Sequence, residues 1–122
     1  MIGTLPSFDV ALVLRVGGDV VYSHGDVDRV FPLASVTKPI AAWSVLVAVD
    51  RGLVSLDDPA GPEGATVRHL LAHASGLPFE GRRPVAAPEK RRIYSNEGFD
   101  VLGEVIEAAT GVGVAQWVRE TV

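Results

Sequence analysis

Apolar positions along the chain fall into blocks separated by glycine, proline and charge. Phe8 to Val16 and Val20 to Tyr22 are rich in valine and leucine, and Gly17-Gly18-Asp19 stands between them. Two β-rich runs about a Gly-Gly turn predict a hairpin. The first run is apolar at both parities, as in a strand covered on both faces. A hairpin alone is not stable in water, so these strands need more sheet. From Ser35 to Arg51 the residues Ile40, Ala41, Ala42, Trp43, Val45, Leu46, Val47, Ala48 and Val49 leave almost no polar face. That pattern predicts a buried central helix, with Gly52 as its C-terminal cap.

Leu53 to Gly64 reads as an acidic, proline-containing loop, in which Asp57-Asp58 is a turn and helix-flanking pair rather than a metal site. Thr66 is a good N-cap for a short helix from Val67 to Ala74, stopped by Gly76 and Pro78. Phe79 to Arg92 is a loop rich in proline, glycine and basic residues. A helix from about Glu97 to Thr110 presents Val101, Leu102, Val105, Ile106 and Ala109 as one stripe and ends at Gly111. A last helix, Val114 to Val122, turns Trp117 and Val118 inward. Strands followed by helices predict an α+β fold, with residues 1–34 as a sheet hairpin and 35–122 as a helical lobe.

Composition narrows the classes. The 122 residues make one domain at most, and nearly half are hydrophobic, enough for a core. The formal charge of -4 argues against a nucleic-acid partner. The absence of cysteine excludes disulfides, thiolate metal sites and a thiol nucleophile, and no glycine-rich phosphate loop is found. Met1 to Pro6 lacks the basic start and apolar core of a signal peptide, and the Pro39–Val49 run is too short for a membrane span. The expectation is a soluble, cytoplasmic chain with no membrane partner and no cofactor; a trimmed leader would give the same appearance.

The candidate chemistry centres on Ser35 and Lys38. Three residues apart on a helix, they lie on one face and can meet. A serine hydroxyl needs a neighbour to take its proton, and lysine serves only when neutral. Apolar Ala34, Val36, Ile40 and Ala41, and the positive end of a helix, would both oppose the ammonium. Pro39 supports placing Lys38 in the first turn. Free N–H groups at that helix start could also hold an oxyanion. On its own, though, Ser-x-x-Lys is also the pattern of a capping serine followed by a surface lysine. His24 reads as an exposed loop residue. His69 and His73, four apart, could form a zinc face but lack the glutamate of the usual helical pattern; a buried hydrogen bond from His73 to the Ser75-Gly76-Leu77 turn is the better reading. Lys90-Arg91-Arg92 reads as a solvated patch with the capacity to attract a carboxylate.

Four stretches in order change the weight of that serine: Phe31-Pro32-Leu33-Ala34-Ser35-Val36-Thr37-Lys38, Leu70-Leu71-Ala72-His73-Ala74-Ser75-Gly76-Leu77-Pro78, Tyr94-Ser95-Asn96-Glu97-Gly98-Phe99, and Leu102-Gly103 through Thr110-Gly111. Together they resemble the serine β-lactamase and penicillin-binding protein superfamily, on the branch of class C β-lactamases, D-Ala-D-Ala carboxypeptidases and related esterases. The resemblance implies a β-lactamase-like fold. It implies that Ser35 is acylated, that Lys38 and Tyr94 share the proton transfer, and that Asn96 donates to the substrate. The structural alternative for Asn96 is a helix cap.

The family's third motif, Lys or His followed by Thr or Ser and Gly on a strand, and its later strands are not among these residues. The resemblance therefore implies the N-terminal part of a larger domain, needing its C-terminal half or an oligomeric partner, and poorly soluble or oligomeric alone. The expected activity is hydrolysis of a small ester, amide or peptide; the alternative is a non-catalytic binding module of the same fold.

Overall fold

A computed structural model describes residues 8–122; the Met1–Pro6 segment lies outside the described residues. The chain divides into two compact units at the Leu33/Ala34 boundary.

In the first unit β1 (Leu12–Val16) pairs antiparallel with β2 (Asp19–His24). Gly17 and Gly18 both take positive φ, 60° and 94°, the conformation a two-residue hairpin turn demands and a side chain resists. Asp19 belongs to the strand rather than the turn, and His24 closes β2. Leu14 pairs with Tyr22 but Arg15 with Val20, so Val21 is bulged out. Phe8 to Ala11 fall outside the strand, which is shorter than the apolar run predicts. Both strands are exposed along their whole length, so the expected burial of β1 on two faces is not found. The ladder has two strands among the described residues, and a two-strand ladder has no second layer to cover it.

The second unit is helical. A 3-10 turn, Ala34–Val36, leads into α1 (Thr37–Asp50), followed by α2 (Val67–Leu71), α3 (Asn96–Thr110) and α4 (Val114–Thr121). The core gathers Val45 and Ala48 of α1, Val67 and Leu70 of α2, Val101, Leu102 and Ile106 of α3, Trp117 of α4, and Val54 and Leu77 between elements. Trp117, inward as its helical position predicts, donates Nε1–H to the Ser44 carbonyl at 2.9 Å and ties α4 to α1. Val118 is half-buried and Ala109 exposed, so the stripe on α3 is narrower than its sequence suggests.

The apolar α1 is not buried all round. Ser44, Val45 and Ala48 are buried against α3 and α4, whereas Trp43 is 60% exposed and Leu46 43%. The helices of this unit cover one side of α1 and leave the other open. α2 stops at Leu71 instead of Ala74, because His73 turns left-handed with φ 58°. Thr66 does open α2, with His69 Nδ1 accepting its backbone N–H at 3.1 Å. The acidic loop folds as a turn: Asp58 accepts from the Ser55 N–H at 2.7 Å, and Asp57 pairs with Arg68 at 3.1 Å. No helix among the described residues is long and apolar enough to cross a membrane.

The core assignment makes a direct prediction. Ile106→Ala should lower unfolding free energy by about 2–5 kcal/mol, while Ala109→Ser should stay within about 0.5 kcal/mol, measured by urea denaturation. Equal costs at the two positions would contradict the burial described.

Candidate active site

The site forms where the start of α1 meets the start of α3. Val36 caps α1, which puts Lys38 in its first turn, as Pro39 predicts. Ser35 lies one step earlier, exposed in the 3-10 turn rather than in the helix proper. At Ser95 a different choice is made. Ser95 caps α3 by accepting the Gly98 N–H at 2.9 Å, and its hydroxyl donates to the Pro78 carbonyl at 2.6 Å. The cap expected as the alternative role of Asn96 thus falls to the residue before it. Asn96 becomes the first residue of α3 with its side chain free to reach another element.

That side chain reaches Lys38. Lys38 Nζ donates to Asn96 Oδ1 at 2.6 Å and to Ser35 Oγ at 3.4 Å. It lies 4.8 Å from the ring centroid of Tyr94 and 5.7 Å from that of Phe99, and aromatic faces attract a cation. The amine's surroundings differ from those expected. Ala34 and Val36 are exposed and do not wall it off; its neighbours are an amide oxygen and two rings contributed by the second motif. Ser35, Lys38, Tyr94 and Asn96 are therefore brought to one place, although 58 residues separate Lys38 from Asn96.

Tyr94 is the group whose acidity is altered. The Ser35 hydroxyl, then the Lys38 amine, stand against the phenol oxygen and hold its pKa below the ordinary 10.0; the positive charge on Lys38 adds to this. A phenol with a lowered pKa gives up its proton more readily than an ordinary tyrosine. Next to this group opens a cleft of about 430 Å³, lined by Lys38, Thr37, Asn96, Phe99, Asp100 and Val114 among others.

The contact of Phe99 escaped the sequence reading, and the partner of His73 differs from the one expected. Phe99 supplies a ring face to Lys38, and only its place one turn after Asn96 hinted at that. His73 makes a buried hydrogen bond, but not to the Ser75–Leu77 turn: its Nδ1 accepts the Ser95 N–H at 3.1 Å. The zinc alternative for His69 and His73 fails on geometry. α2 ends before His73, so the two rings no longer share a helical face, and His69 is engaged with Thr66 and, at 2.9 Å, with Glu89. Lys90, Arg91 and Arg92 are exposed, and Arg82 of the same loop is clasped by Glu97 and, at 2.6 Å, by Glu104 of α3.

Comparison with known proteins identifies the family and the fold. The protein-family model described as Beta-lactamase matches residues 8–122. Penicillin-binding protein 4* of Bacillus subtilis is 25% identical over 99% of this chain and 37% of its own length. Esterase EstB of Burkholderia gladioli is 44% identical over 72% of this chain and 34% of its own. A crystal structure of a beta-lactamase from Mycobacterium bovis superposes with a TM-score of 0.78 at 51% identity, over 83% of this chain and 37% of that one. The chain thus spans little more than a third of the length of the relatives it matches.

The Tyr94 environment can be tested by itself. With carbon-13-labelled tyrosine, assigned through Tyr94→Phe, the Tyr94 resonance should titrate below 10, and Lys38→Met should move its midpoint upward. A midpoint indifferent to Lys38 would contradict the contact.

Proposed function

The chain belongs to the Beta-lactamase family, and from that membership and the site geometry we propose that it carries the nucleophile and proton-transfer groups of a serine acyl hydrolase acting on an ester or amide. The observation that carries the proposal is the convergence of Lys38 on Ser35 and Asn96, with the Tyr94 phenol beside the serine.

The chemistry runs as follows. Ser35 Oγ attacks the substrate carbonyl carbon while its proton passes to the Tyr94 phenolate. The Lys38 cation balances the phenolate before transfer and, through its bond to Asn96, is kept in place. As the tetrahedral intermediate collapses, the carbon–oxygen or carbon–nitrogen bond to the leaving group breaks, and Tyr94 returns the proton to that group. Water then attacks the Ser35 ester by the same route, giving the acid and free serine. The Asn96 NH₂, whose partner oxygen is held by Lys38, serves as a donor to the substrate's carbonyl or amide oxygen. The sequence makes a neutral Lys38 the base, and the resemblance has it share the proton transfer with Tyr94; in this proposal Lys38 is the cation that holds the base, and Tyr94 is the base.

Intact mass after exposure to a fluorophosphonate should show one adduct, lost in Ser35→Ala. The wild-type rate should rise with pH through the lowered Tyr94 pKa and level off above it, since only the deprotonated phenol accepts. Tyr94→Phe should slow the step by about 10²–10⁴-fold and erase that limb. A pH-independent wild-type rate would remove Tyr94 from the mechanism, and no adduct at all would leave a binding module in place of an enzyme.

A further inference from the structure

His73 has no part in the proton transfers just described, yet it touches the chain on both sides of Tyr94. The Ile93 N–H donates to the His73 carbonyl at 2.8 Å, and the Ser95 N–H donates to His73 Nδ1 at 3.1 Å. The imidazole also packs on the phenol ring, centroids 4.7 Å apart, and on Phe99 at 5.3 Å. One residue thus accepts from the peptide N–H before Tyr94 and from the one after it, and covers a face of the ring between them. His73 is 8% exposed and left-handed at φ 58°, a conformation that costs a non-glycine residue free energy. The turn it makes there aims its carbonyl and its ring nitrogen at residues 93 and 95 of one passing segment.

Resting on the acyl-hydrolase reading above, we propose that His73 is a positioning residue that clamps the Tyr94 backbone and ring so that the phenol stays against Ser35 and Lys38. The clamp needs the neutral imidazole. Because Nδ1 accepts, the ring proton sits on Nε2. Burial lowers the His73 pKa, and the positive charges of Arg92, in the loop before Tyr94, and Lys38, on α1, lower it further. The neutral form is therefore favoured in the folded protein. The clamp is intact above the ordinary histidine value of 6.5 and is lost as pH falls through the lower folded value. The same arrangement binds the segments together: Gly76, three residues on, has φ 87° and would bring a Cβ to 2.0 Å from the Ala86 carbonyl oxygen, so only glycine lets the 85–96 segment lie this close.

The test uses the full-length protein and a fluorophosphonate probe, separating the bond-forming rate from half-saturation. His73→Leu, which fills the space but accepts nothing, should slow the bond-forming step roughly 10- to 100-fold, leave half-saturation nearly unchanged, and raise the pH midpoint set by Tyr94. His73→Asn offers an oxygen where Nδ1 stood and tolerates the left-handed turn. It should return to within about tenfold of wild type with the wild-type midpoint. A folded Leu variant with wild-type rate and midpoint overturns the clamp. An Asn variant that is as slow as Leu, or shifted in midpoint, also overturns it, and that variant decides the matter if the Leu protein does not fold. Wild type that takes no label sinks the hydrolase reading and the clamp together; wild type that labels while both variants behave like it sinks the clamp alone.

Discussion

A single hydrogen bond, from Lys38 Nζ to Asn96 Oδ1 at 2.6 Å, joins the two helix starts on which the site is built. It ties the turn that carries Ser35 to the segment that carries Tyr94. With it, the amine is fixed between the serine oxygen and two aromatic faces. The Ser35 hydroxyl first, then the Lys38 amine and its charge, lower the phenol's pKa; in the mechanism proposed above the same contacts keep the proton acceptor beside the hydroxyl. The buried packing of α1 on α3 and α4, with Trp117 bonded to the Ser44 carbonyl, is what makes that bond geometrically repeatable.

The site is over-determined on its α3 side. Ser95 caps the helix, donates to Pro78 and gives its N–H to His73, and the Asn96 N–H donates to the Phe79 carbonyl at 2.9 Å. Ser95 and Asn96 are therefore held through their backbone N–H groups, as is Ile93 on the other side of Tyr94. Of Tyr94-Ser95-Asn96, Ser95 takes the cap and Asn96 begins the helix. The Arg82–Glu104 pair is exposed and contributes little energy, whereas Glu97 is mostly buried; together the two pairs close the Phe79–Arg92 loop onto α3.

Much of this was legible in the residues. α3 and α4 show an apolar stripe at helical spacing, and both appear within a residue or two of the expected bounds. Ser35 and Lys38 meet because three-residue spacing leaves them little choice, and the α+β, β-lactamase-like class follows from the order of the motifs. What stayed hidden depended on long-range partners. α1 is apolar on every side, so its pattern carries no phase, and which face would be buried was set by α3 and α4. Serine and asparagine are near-equal caps, so the choice at 95 over 96 required knowing where Lys38 would be. His73 could be read as buried, but its partner lies 22 residues away, reached through a left-handed turn that a histidine adopts only under tertiary constraint.

The most direct measurement is a crystal structure of the full-length protein carrying a phosphonate label. The account predicts the phosphorus bonded to Ser35 Oγ, with Tyr94 Oη and Lys38 Nζ both within about 3.2 Å of that oxygen and Asn96 Oδ1 still held by the amine. Label on any other residue, or on Ser35 with the phenol of Tyr94 turned away from it, would contradict the account.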